Sequence, residues 1–225
     1  MAIPGILARG ATPLGAITPP APAAGTPDPV VIKAYRNYAQ YQIMSMWCWN
    51  ASGASIADYF GVSSWGTSSV YQCDNAIEYS RGASGCCELK IFGIEFSLRF
   101  VALMKKFDDP IHIDIGDVPC NQGGDPADVI EGTGELDADY DRYSGNGPDD
   151  AEYQRIVDNL DADYPVIQRI GWDSGGGHLM PIYGISYLFG LRVFLLADPW
   201  SGFKMQLAPP SNGTWTGTYF IERVT

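Results

Sequence analysis

Basic residues are scarce in this chain. Its 26 Asp and Glu outnumber 14 Lys and Arg, a formal net charge of −12 over 225 residues. Such a balance argues against nucleic acid or an anionic membrane as partner. Long apolar runs are also missing, so no transmembrane helix is expected. The opening MAIPGILARGATPLG lacks a basic segment followed by an apolar one, and no secretory signal is visible. Histidine is rarest of all the chemically useful types, with two in the whole chain. Any imidazole base must therefore be His112 or His178. No internal repeat is evident. What remains is ample for one folded domain: 46% hydrophobic and 12% aromatic residues, enough for a core without metal or disulfide support.

The chain divides by composition. Residues 1–29 are rich in Pro, Ala, Gly and Thr, show no helical or strand period, and read as a tail, linker or pro-segment. Residues 30–225 read as one domain. Its first half has helical spacing over Cys48–Phe60, around Ser69–Arg81 and around Ser97–Lys106. A further helix is expected over Pro148–Leu160. From Val166 the pattern is strand-rich, with VIQRIGW, HLMPIYGIS and RVFLLAD bounded by turn signals. A helical lobe followed by an antiparallel sheet lobe predicts an α+β fold with a cleft between the lobes.

The run QIMSMWCWNASGASIADYF carries the strongest chemical signal. Cys48 stands where the helical pattern begins, and Gly61 follows as its stop. The positive end of a helix dipole favours the thiolate, the form that acts as nucleophile. Gln42, six residues upstream, has a side-chain amide suited to holding an oxyanion.

A cysteine nucleophile needs a base, and the base needs an orienter. His178 follows three glycines at the start of one apolar segment. Asp198 ends the next, before Pro199. Between them YLFGL is a hairpin turn, and folding there sets His178 and Asp198 opposite each other within a residue or two of register. His112, in DDPIHIDIG, has no comparable context and reads as an exposed strand or loop residue.

Taken together, these residues resemble the papain-like cysteine peptidases: Gln42, then Cys48-Trp49 opening a helix, Gly177-His178 before a strand, and Asp198-Pro199 ending the next. The bacterial AvrRpt2-type branch is the more similar, with the C39-like peptidases as neighbours, and it shows further likeness at Cys73, at Cys86-Cys87 and at Pro119-Cys120-Asn121. The resemblance spans roughly Tyr38 to Thr225. It implies a papain-like fold, with the active site in the cleft between its helical and sheet lobes. It also implies Cys48 as nucleophile, His178 as general base and acid, Asp198 as orienter and Gln42 as oxyanion donor. Asn50-Ala51-Ser52 departs from the alanine-rich helix start that the family leads one to expect. The implied activity is peptide hydrolysis, on a peptide or protein substrate and without a cofactor. The same equipment would serve an acyltransferase or transpeptidase, and the same fold a non-catalytic binding module.

Four cysteines remain besides Cys48. Cys73, Cys86, Cys87 and Cys120 fit two disulfides. Adjacent Cys86 and Cys87 bond each other only with strain, so each is expected to reach Cys73 or Cys120, in either order. A four-thiolate zinc site fits poorly, because the Cys-Cys pair lacks ligand spacing. Disulfides imply an oxidising compartment, and hence a secreted or otherwise exported protein. Residues Glu131–Asp150 read as a solvated acidic loop. Asp137, Asp139 and Asp141 resemble a calcium loop, but Arg142 replaces its glycine and Pro148 its bidentate glutamate. The glycosylation triplets at Asn50 and Asn212 carry no weight.

Overall fold

The computed structural model describes residues 28–62, 70–79, 88–91, 94–97, 121–143, 147–172, 175–189, 191–207 and 213–224. Helix α1 (Cys48–Phe60) is built from small and apolar residues, and every residue from Cys48 to Asp58 is buried. A helix apolar on all sides belongs inside a core. It stops at Gly61, whose left-handed φ of 67° lets its N–H turn back to the Ala57 and Asp58 carbonyls. Helix α2 (Val70–Tyr79) follows. Helix α3 (Pro126–Glu131) starts on an Asp125 cap with proline in its first turn. Helix α4 (Asp150–Asp161) opens with a capping box between Asp149 and Glu152.

Nine strands accompany them among the described residues. Strand β1 is Val30–Val31, and β2 (Glu88–Ile91) pairs with β3 (Ile94–Ser97) in a separate hairpin. The main sheet holds β4 (Leu136–Arg142), β5 (Val166–Gly171), β6 (Gly177–Leu188), β7 (Leu191–Asp198), β8 (Gly202–Leu207) and β9 (Thr214–Arg223). Their order is β4-β9-β5-β6-β7-β8, antiparallel at every pairing. The first half of β6 pairs with β5, and β1 pairs with its second half. Helix α1 packs on β6 and α3, and α3 on β4. Trp47, Tyr35, Phe194, Trp215 and Phe220 fill the core between these elements. The chain is therefore α+β, a mixture of helices and antiparallel sheet.

Several expectations need correction or placement. The acidic segment expected as a loop contains β4. Leu136 and Ala138 are buried while Asp137 and Asp139 face solvent, the period-two alternation of a half-buried strand. Two of its three carboxylates are offset in part from α4, where Arg155 contacts Asp139 at 2.7 Å and Asp141 at 2.5 Å. The helix expected from Ser97 begins on a residue that ends β3, and its remainder lies outside the described residues. The same holds for residues 1–27, His112, Cys86, Cys87 and Cys120. Asn50 is fully buried, which removes it as a glycosylation acceptor.

Candidate active site

Cys48 is the first residue of α1 and is 8% exposed. Trp47 occupies the N-cap and offers no side-chain cap. The first-turn N–H groups of a helix have no intrahelical acceptor, and the Cys48 N–H finds none elsewhere among the described residues. An uncapped, donor-rich helix end thus coincides with the thiol. The segment leading in is pinned from two sides. Gln42 N donates to Pro199 O at 2.9 Å, tying it to the turn after β7. Asn121 Oδ1 accepts from Met46 N at 2.8 Å, and Asn121 Nδ2 donates to Ser45 Oγ at 2.8 Å.

His178 stands at the start of β6. Gly175 and Gly176 take left-handed φ of 90° and 78° in the turn before it. A Cβ on Gly177 would meet the Ile170 carbonyl oxygen at 2.5 Å, so only glycine allows β6 to approach β5 there. The β6–β7 ladder runs Ile182↔Leu196 at its open end. Continued, it sets His178 two residues from Asp198, on the same face. His178 Nε2 lies 2.7 Å from Asp198 Oδ1. An ionised carboxylate only accepts, so Nε2 carries the proton. Cys48 borders the same cleft as the imidazole, and Nδ1 is the ring nitrogen that Asp198 leaves free for it. Burial alone would lower the His178 pKa. Hydrogen bonds to Asp198 and Cys48, with the attraction of both, outweigh it and push the pKa up to about 9.

Asp198 is 5% exposed and fully engaged. Oδ1 also accepts from Trp200 N at 2.8 Å, while Oδ2 accepts from Ser201 Oγ at 2.7 Å and Lys204 Nζ at 2.6 Å. Burial would raise its pKa, but His178, Lys204 and Ser201 together hold it well below the usual carboxylate range. Trp172 stacks on His178 with ring centroids 6.3 Å apart.

These groups line a cleft of about 730 Å³. Gln42, Cys48, His178 and Asp198 all border it, so the four residues singled out in the sequence meet at one place. The Gln42 amide is oriented differently from the expectation. Its Nε2 donates to Met44 O at 2.9 Å and Ser45 O at 2.8 Å, so both protons are spent on the turn before Cys48. Its buried Oε1 has no partner. Turning the amide over would set oxygen against two carbonyls, so this orientation stands. In this conformation Gln42 braces the turn, and donating to an oxyanion would require giving up one of those bonds.

Lys204, Ser201, Trp172 and Asn121 belong to the site and were not foreseen as parts of it. Lys204 had a signal: Asp198 pairs with Gly202 across the β7–β8 turn, and a residue two further on shares its face. Cys48 is the free cysteine among the described residues, and Cys73, fully buried, is not a free thiol. Among the described residues no group of three or more His, Cys, Asp or Glu side chains is placed to hold a metal. The chain matches no protein-family model and no curated protein sequence significantly, so its function rests on the residues of the cleft.

Proposed function

We propose that the chain is a papain-like cysteine peptidase that hydrolyses peptide bonds in the cleft bordered by Cys48 and His178. One observation carries the reading: a free thiol at the uncapped start of α1 shares a cleft with an imidazole whose Nε2 is anchored on a buried carboxylate. The packing of α1 on the strand that carries His178 supports a papain-like arrangement of the two lobes.

The chemistry follows from the geometry. His178 Nδ1 takes the Cys48 proton, giving an imidazolium that Asp198 stabilises from the Nε2 side. The thiolate attacks the peptide carbonyl and forms a C–S bond, placing negative charge on the carbonyl oxygen. The uncommitted Cys48 N–H is a donor for that charge, with Gln42 as a second if its amide swings from the turn. Collapse breaks the C–N bond, and the imidazolium passes its proton to the leaving amine. Water, deprotonated by His178, then attacks the thioester and frees the carboxylate product and the thiol. No cofactor takes part. The partner is a peptide or protein. The expected disulfides place the protein in an exported, oxidising setting.

The test is cleavage of a peptide library by the parent and by Cys48→Ala, with products analysed by mass. Cleavage dependent on Cys48, giving free carboxylate products, is the expected result. Products joined to an added amine would make the enzyme an acyltransferase or transpeptidase. No turnover, together with no preferential labelling of Cys48 by a thiol-reactive substrate mimic, would leave a binding module on the same fold.

A further inference from the structure

We infer that the cleft contains a subsite for a substrate carboxylate, built around Arg169; this rests on the peptidase reading and names the substrate feature it would select. Arg169 lies on β5 opposite Leu179, the neighbour of His178. It borders the same cleft as Cys48 and is half-buried. Its Nη1 donates to Thr216 Oγ1 at 2.8 Å, and that hydroxyl bonds back to the Arg169 carbonyl at 3.2 Å. The guanidinium is thereby held in place. Its remaining N–H donors have no acceptor, and no carboxylate lies within ion-pair distance of it, among the described residues.

What sets Arg169 apart is its place: it and Lys204 are the two cations that border the cleft. Arg155 contacts Asp139, Asp141 and Glu222, and Lys204 is paired with Asp198. Two acids line the cleft, Asp125 and Asp198, and Asp198 is taken by His178 and Lys204. Asp125 caps α3, accepting from Ala127 N at 3.0 Å. A guanidinium already fixed in the cleft with open donors is pre-organised for an anion that enters it. A guanidinium fork fits a carboxylate with two parallel hydrogen bonds. The matching group on a peptide is an Asp or Glu side chain or the C-terminal carboxylate.

The experiment compares kcat/KM of the parent, Arg169→Met and Arg169→Glu on three peptide sets: acidic residues placed around the scissile bond, neutral isosteres with amidated ends, and the same neutral peptides with free C-termini. Binding of each set to Cys48→Ala is measured alongside by fluorescence anisotropy. The parent should prefer a carboxylate-bearing set about tenfold to a hundredfold, the range of a charge-assisted hydrogen bond. Arg169→Met should erase that preference, lowering kcat/KM on the carboxylate-bearing set toward that on the neutral set. Arg169→Glu should shift it toward Lys- and Arg-bearing peptides. Preference for the acidic set marks a side-chain subsite, and preference for the free-terminus set marks an exopeptidase-like subsite. Cys48-dependent cleavage indifferent to both the carboxylate and Arg169 overturns the subsite and leaves the peptidase reading intact. Without turnover by the parent, a carboxylate preference in binding that Arg169→Met removes keeps the subsite and overturns the peptidase reading. No such preference in binding overturns both.

Discussion

His178 Nε2 and Asp198 Oδ1 lie 2.7 Å apart at the open end of the β6–β7 hairpin. The contact fixes which ring nitrogen serves Cys48. Since Asp198 also accepts from Trp200 N, Ser201 Oγ and Lys204 Nζ, its carboxylate cannot turn without losing several bonds at once. The imidazole is held by something rigid. His178→Ala should therefore lower kcat nearly as far as Cys48→Ala, because the two act as a unit. Asp198→Asn should cost less than either, keeping volume but weakening the hold on the Nε2 proton. Single-turnover rates on one cleaved peptide check the ranking. An Asp198→Asn loss larger than the His178→Ala loss would mean that Asp198 acts on the thiol directly.

The pH profile follows from the same pair. His178 titrates at about 9, above its ordinary 6.5. Activity that needs the imidazolium to protonate the leaving amine should fall as pH rises through about 9. The stability linkage has the same sign. A raised folded-state pKa contributes fully below 6.5 and is lost as pH climbs through about 9. Asp198, held below its ordinary 3.8, contributes above that value and is lost as pH falls beneath it. Stability from the pair is thus greatest between about pH 4 and 6.5. Melting temperatures across pH 3–10 for the parent and His178→Ala provide the check, and the alkaline decline should be shallower in the variant.

Lys204 should tune that alkaline limb. Its ammonium shares Asp198 with the imidazole. Lys204→Met leaves more of the carboxylate's charge to act on His178, which raises the imidazole pKa and moves the limb to higher pH. The rate at neutral pH should change by less than about tenfold, since a partly exposed ion pair contributes modestly. Lys204→Arg should restore the parent profile. A limb that stays in place in Lys204→Met would reduce Lys204 to a surface ion pair.

Much of the site was legible because each part had a local signature. The Cys48–Phe60 helix ends at its glycine, and the β6–β7 turn falls within YLFGL. A hairpin closes over few residues, so its register, and with it the meeting of His178 and Asp198, follows from the turn. The β4 strand was missed for the opposite reason. Asp has low strand propensity, and three of its seven residues are Asp. What makes it a strand is the partner, β9, and the guanidinium of Arg155, neither of which is local in sequence. The direction of the Gln42 amide was hidden too. It depends on where the carbonyls of Met44 and Ser45 point, a property of turn geometry rather than of composition. Arg169 carried no signal at all, since an arginine in a strand is notable only once its missing acid is seen.

The cysteines admit a direct test. Cys73, Cys86, Cys87 and Cys120 should form two bridges, leaving Cys48 as the single alkylatable thiol in the unreduced protein. Intact mass before and after alkylation reads this out. Reduction should then lower stability, each bridge contributing about 2–4 kcal/mol. Five reactive thiols in the native protein, or bound zinc, would remove the argument for an exported protein.

Gln42 separates two roles that its position allows. As a brace, it satisfies the Met44 and Ser45 carbonyls and so holds the turn that delivers Cys48. Gln42→Ala leaves both acceptors short of a partner, which should cost about 1–3 kcal/mol of stability. As an oxyanion donor, the amide would exchange one of those neutral bonds for a stronger one to the charged oxygen, and the buried Oε1, already without a partner, loses nothing in the swing. Loss of such a donor lowers kcat by about 10²–10³. We expect Gln42→Ala to show both effects, a lower melting temperature and a kcat loss of that size with KM little changed. The two measurements are independent, because kcat is read well below the melting transition on folded protein. A stability loss with kcat unchanged would confine Gln42 to the turn and leave the Cys48 N–H as the donor to the oxyanion.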